Sequence, residues 1–156
     1  MAFAEASEFL KKKGLGDRIR EFEVSSATVE LAAVAVGTEP ARIAKSLTFL
    51  VDEQPVMILC AGDAKIQNGK YKAFFHKKAK MLTPEEVHTL IGHGIGGVCP
   101  FGIHEGVNVY LDESLKRFDI VYPACGSANS AVKLNLEELE MASECIGWVD
   151  VCKIPE

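Results

Sequence analysis

Two apolar runs, 46–51 and 56–61, are separated only by Asp52-Glu53-Gln54-Pro55, and this pair limits the fold more than any other feature of the chain. The residues between them have turn composition, so the runs read as the arms of a β-hairpin. Both arms are apolar, which predicts a central place in a sheet. The other segments must then pack around that hairpin.

They do so as short elements of both kinds. Residues 2–13 set Phe3, Ala6, Phe9 and Leu10 on one helical face, with Lys11, Lys12 and Lys13 in the last turn and Gly14 as a stop. Residues 19–24 alternate like a half-buried strand, and Thr28 caps an apolar helix over 29–36 that ends at Gly37. Thr38-Glu39-Pro40 starts a further helical turn and delivers Lys45 to the edge of the next strand. Thr83-Pro84-Glu85-Glu86 is a capping box with proline at the first helical position, opening a helix that stops at Gly92. Strands are expected over 107–111, 120–122, 131–134 and 148–152, with a helix opened by Asn135-Leu136-Glu137-Glu138 between the last two. Without a strict βαβ alternation, this order predicts one compact α+β domain over residues 1–156, built on a mixed, partly barrel-like sheet flanked by short helices.

Composition narrows the function classes. A chain of 156 residues that is 48% hydrophobic can bury its own core without disulfides or metal. Its five cysteines form no C-x-x-C pair, which suits a reducing compartment and small core thiols rather than a zinc ribbon. The formal net charge of -5 disfavours a nucleic-acid binder that works by overall positive potential, so any RNA contact must be local. No apolar run approaches the ~20 residues that cross a bilayer, and residues 1–5 lack the basic start of a secretory signal. The expectation is a cytoplasmic protein. Absent too are the G-x-S-x-G elbow, H-E-x-x-H, the Walker loop and the dinucleotide fingerprint, and no spacing argues for a metal site or a cofactor.

Five features could carry chemistry. Lys45, between a proline-initiated turn and an apolar strand, reads by itself as a snorkelling surface lysine. The loop Gly96-Gly97-Val98-Cys99-Pro100 reads either as a tight connection or as a place where backbone N–H groups can approach a ligand and stabilise a developing oxyanion. Cys99 could serve as a thiol nucleophile, although neither His93 nor His104 stands in a recognisable base relationship to it. Gly126-Ser127-Ala128-Asn129 suits a turn with hydrogen-bonding side chains. Between 65 and 80 lie Lys65, Lys70, Lys72, Lys77, Lys78 and Lys80 with no acidic residue. Tyr71, Phe74, Phe75 and His76 are interleaved, a pattern that could attract RNA phosphates and stack bases.

The order of Arg42-Ile43-Ala44-Lys45-Ser46-Leu47, the G-x-x-x-P loop and the Gly126-Ser127 segment resembles YbaK/EbsC-type proteins of the prolyl-tRNA synthetase-associated editing-domain superfamily. The resemblance runs from Phe22 to near Met141. It implies a free-standing deacylase of misacylated tRNA, with prolyl-tRNA carrying alanine or cysteine as a typical target. In it Lys45 is the catalytic residue, and Phe22, Gly96, Gly97, Val98, Cys99, Pro100, Gly126, Ser127 and Asn129 bind the substrate. Lys65, Lys70, Lys72, Lys77 and Lys78 would contact tRNA, although Ile66-Gln67-Asn68-Gly69 departs from the family pattern. The implied partners are the acceptor end of aminoacyl-tRNA and a synthetase such as prolyl-tRNA synthetase, with no membrane, DNA, metal or cofactor. Two alternatives stay open: a non-catalytic tRNA-binding module on the same fold, and a Cys99-dependent thiol hydrolase.

Overall fold

In the computed structural model, which describes residues 2–155, the chain runs α1 (Ala2–Lys12), β1 (Ile19–Glu21), α2 (Val29–Val36), β2 (Ile43–Val51), β3 (Gln54–Ala61), β4 (Lys65–Ile66), α3 (Asn68–Phe75), α4 (Pro84–Glu86), β5 (Asn108–Asp112), β6 (Ile120–Pro123), β7 (Ser130–Val132), β8 (Leu134–Asn135), α5 (Leu136–Ser143), β9 (Gly147–Val149) and β10 (Cys152–Lys153). Met1, where the reading of the leader begins, lies outside the described residues. Among those residues no helix is long and apolar enough to cross a membrane.

The hairpin is the spine of the molecule. β2 and β3 pair antiparallel from Ala44↔Ala61 to Val51↔Gln54 and sit at the centre of a six-stranded mixed sheet in the order β8-β6-β2-β3-β5-β9. The sheet is curled into a half-barrel. Residues 56–61 of β3 are almost wholly buried, as their unbroken apolar run predicts. The turn is tighter than its composition suggests. Only Asp52 and Glu53 separate the strands, both with positive φ (50° and 68°), the pattern of the turn that matches strand twist. Pro55 therefore falls inside β3. It is tolerated because it stands opposite Leu50, whose N–H is donated outward to Lys80 O at 2.9 Å.

The caps act where the sequence places them. Thr28 Oγ1 accepts from Leu31 N at the start of α2, and Gly37 closes that helix in the left-handed region. Thr83 with Glu86, and Asn135 with Glu138, form complete capping boxes. Three expected elements differ. The strand over 19–24 stops at Glu21, and the chain bends into the residues that precede α2. The segment 131–134 splits into β7, which pairs with β1, and β8, which pairs with β6. At 148–152 the chain also breaks in two, because the buried Asp112 carboxylate accepts Val151 N at 2.9 Å and draws the backbone out of the ladder. The helix opened by Thr83 continues beyond α4 as a wider π-turn, Val87–Ile91, and is closed by Gly92.

Candidate active site

Lys45 is the third residue of β2, brought there by the 3-10 turn Pro40–Arg42. Its ammonium does not swing free. Nζ donates to Gly62 O at 3.2 Å and to Ala64 O at 2.5 Å, two carbonyls of the turn that follows β3. That turn is itself pinned, since Arg117 binds Asp63 through Nη2–Oδ1 (2.6 Å) and Nη1–Oδ2 (3.1 Å), a bidentate pair. The hydrogen bond from Arg117 holds the Asp63 carboxyl below the usual carboxylate range. Gly62 is required here for packing: a Cβ would lie 2.1 Å from Pro40 O, so only glycine lets the two turns meet.

Two of the three Lys45 ammonium protons are thus committed to the backbone, and the residue forms part of the wall of a cavity of about 210 Å³. Ser26, Ala27, Thr28 and Val29 wall the cavity at the N-terminus of α2, whose dipole adds positive potential. Ile43 to Ser46 come from β2, Ile95, Gly96 and Val98 from the loop, and Tyr122, Ala124, Ser130 and Ala131 from around β6 and β7. Ile95 is 67% exposed and forms an apolar lip. Among the described residues none in the wall is acidic. The site is a small, apolar-sided cavity with one positioned cation, suited to a group bearing a carbonyl or an oxyanion.

The residues expected from sequence lie at different depths around this cavity. Lys45, Gly96 and Val98 line this cavity. Gly97, Gly126 and Ser127 lie directly behind the loop, where a Cβ on Gly97 would stand 2.5 Å from Ser127 N and 2.7 Å from Gly126 C. Gly97 thus serves the contact between two chain segments. Asn129 and Phe22 form a strut beyond the wall: Phe22 N donates to Asn129 O (2.8 Å) and Asn129 Nδ2 donates to Phe22 O (3.0 Å). Pro100 is buried outside the cavity wall.

Cys99 is fully buried, and burial pushes its thiol pKa up. His93 Nε2 lies 2.9 Å from Phe101 O and 3.3 Å from Cys99 Sγ. A carbonyl can only accept, so Nε2 carries the proton and offers Cys99 no base. Burial also lowers the His93 pKa. The geometry therefore opposes a thiol nucleophile at Cys99 and places both side chains in the buried support of the loop. The remaining cysteines are free thiols, all buried except the half-buried Cys145, and burial pushes Cys125 up to about 12.

The lysine stretch is exposed but is not gathered at the cavity. Lys65 directly follows Ala64, whose carbonyl holds Lys45. Lys70 is bound to Asp150 Oδ1 and Cys152 O, both at 3.0 Å. Lys77 pairs with Asp52 at the hairpin turn. That turn is six strand residues beyond Lys45, roughly 20 Å away. Lys72 and Lys78 flank a separate surface cleft with Asn68, Gly69 and Ala79. Tyr71 is fully buried and cannot stack a base, Phe74 remains 45% exposed, and Phe49, Tyr71, Phe74, Phe75 and Tyr110 form a chain of ring contacts. Tyr71 and Phe75 recur at helical spacing because they face the core. Among the described residues no group of three or more His, Cys, Asp or Glu is arranged to hold a metal.

Sequence reasoning did not single out Ser26, Thr28, Tyr122 or Ser130 as wall residues. Thr28 is legible as a cap and Tyr122 as strand, but neither signal reveals a shared cavity, and Ser26 and Ser130 carry no local signal.

The model for the aminoacyl-tRNA editing domain matches residues 23–142. Uncharacterized protein YwhH of Bacillus subtilis (strain 168) is 54% identical over 136 residues, covering 86% of this chain and 87% of that protein. A proline--tRNA ligase of Geobacillus sp. (strain WCH70) is 27% identical over 142 residues, covering 81% of this chain but only 25% of the ligase. A crystal structure of a candidate trans-editing enzyme for prolyl tRNA synthetase superposes with a TM-score of 0.87 and 29% identity, covering 97% of each chain.

Proposed function

Because the chain belongs to the aminoacyl-tRNA editing domain family, we propose that it hydrolyses the ester joining a wrong amino acid to tRNA. Mischarged prolyl-tRNA carrying alanine or cysteine is its substrate in this reading, and the editing unit is residues 1–156 acting in trans, with a synthetase such as prolyl-tRNA synthetase as a partner. The observation that carries the proposal is Lys45, held by two carbonyls with one ammonium proton uncommitted, in the wall of a small cavity. At about 210 Å³ the cavity is below the ~300–1,000 Å³ of drug-sized pockets, consistent with a small acyl group.

An aminoacyl ester is already activated, so its hydrolysis needs placement, charge stabilisation and an oriented water. Lys45 and loop backbone N–H groups stabilise the charge that builds on the carbonyl oxygen as water adds. Collapse of the tetrahedral intermediate breaks the bond to the ribose oxygen, which leaves with a proton, and frees the amino acid. Such correction answers a physical limit: one methylene is worth only about 1–3 kcal/mol in a synthetase pocket.

The test is release of labelled amino acid from tRNAs carrying alanine, cysteine, serine or threonine, with correctly charged prolyl-tRNA as control. Release from alanyl- or cysteinyl-tRNAPro with prolyl-tRNA spared is expected. Survival of every ester on bound tRNA would replace the enzyme by a binding module.

A further inference from the structure

The acceptor groups of the cavity are as constrained as its lysine. Asn129 Nδ2 donates to Phe22 O at 3.0 Å, which turns Oδ1 toward Ser127. Ser127 Oγ then donates its one proton to Asn129 Oδ1 at 3.0 Å. Ser127 Oγ also lies 2.6 Å from Ser130 Oγ, and with its own proton engaged it can only accept there. Ser130 is therefore the donor in that contact and keeps lone pairs alone for any further partner. Ser26 reaches the same state by another route, since its hydroxyl donates to Ser130 O at 3.4 Å. Both serines belong to the cavity wall and are nearly inaccessible from bulk water, at 7% and 1% exposure.

We infer that Ser26 and Ser130 form an acceptor-only subsite that takes a hydrogen-bond donor of the ligand, the α-amino group of the aminoacyl ester. This rests on the editing reading above. A hydroxyl with a free proton would adapt to either a donor or an acceptor; Ser130 cannot, because the Phe22–Asn129 strut sets the direction of the bonds through Ser127, and Ser26 has its proton turned to Ser130 O. Among the described residues no acidic side chain in the wall competes for the amine. The amine donates in either protonation state, so the subsite does not depend on its charge. Ser127 and Asn129 act here as positioning residues, outside the wall, by fixing which way the Ser130 proton points.

The test uses two stable amide analogues of the acceptor end, 3′-deoxy-3′-(alanylamino)adenosine and its propionyl counterpart, which lacks the amine but keeps the ribose 2′-hydroxyl. Titration of the wild-type protein is expected to show about tenfold preference for the amino form, the scale of one well-placed hydrogen bond. Ser130→Ala should reduce that preference to less than about threefold. Asn129→Ala, which releases the Ser127 proton and lets Ser130 reverse, should weaken it with Ser130 still present. Equal wild-type affinity for the two analogues, or binding of neither, overturns the inference. So does equal loss on both in Ser130→Ala, which would assign the corner to the ribose hydroxyl. A retained amine preference without ester cleavage would count against the editing reading alone.

Discussion

Lys45 acts as a fixed donor because backbone carbonyls hold two of its three ammonium protons. Its position is set by residues that never touch the cavity, above all Gly62 and Asp63. Gly97 shows the same division at the loop. Its neighbour across the gap is the backbone of Gly126 and Ser127, so Gly97→Ala should cost about 1–3 kcal/mol and lower the melting midpoint by several degrees, with activity falling alongside. An unchanged midpoint with impaired turnover would instead make Gly97 a ligand-approach glycine. Cys99→Ala separates packing from chemistry. The thiol is buried and lacks a base, so turnover should stay within about threefold while the melting midpoint falls, as expected for a small core cavity. Abolished turnover in a folded Cys99→Ala protein would restore the thiol mechanism.

Among the elements, the turn after β3 carries the most consequence for the site, because its carbonyls hold Lys45 and its Asp63 is gripped by Arg117. The Asp63 pKa is depressed in the folded state. The pair therefore contributes stability that is fully present above the unfolded carboxyl value of about 3.9 and is lost as pH falls through the lower folded value. Asp63→Asn should destabilise the protein at neutral pH by at most about 1 kcal/mol, since the pair is partly exposed, and this gap should close in acid. Turnover at neutral pH should fall more than stability does, because the Lys45 carbonyls loosen. A gap that persists unchanged to low pH would contradict this account of the pair. Elements governed by local chemistry were legible in the sequence: the Thr28, Thr83 and Asn135 caps and the central hairpin all form. The breaks at Lys133 and Asp150 were not, because they arise where a strand changes partner, from β1 to β6 and from β5 to β4.

Across the whole molecule the cavity joins α2, β2, the 94–98 loop and the β6–β7 region, segments up to about a hundred residues apart in sequence. Order along the chain pointed to Lys45 and the glycine loop, while Ser26 and Ser130 became visible only once β1 and β7 had paired. The lysines of 65–80 were legible as a local reversal of sign in an acidic chain, but not the pairing of Lys70 with Asp150 or of Lys77 with Asp52. Lys72 and Lys78, beside their own cleft, are the members for which tRNA phosphates are the proposed counter-charge. Replacing both by alanine should raise KM for tRNA several-fold and flatten its salt dependence while leaving kcat unchanged. An unaltered KM and salt slope would remove this face from the tRNA path. The central claim is tested most directly by single-turnover release of labelled alanine from alanyl-tRNAPro, wild type against Lys45→Ala, with folding of the variant confirmed by its melting transition. The account predicts rapid release by the wild type and a loss of at least about a hundredfold in the variant, the scale of removing one charge-stabilising donor. Equal release by the two folded proteins would contradict it.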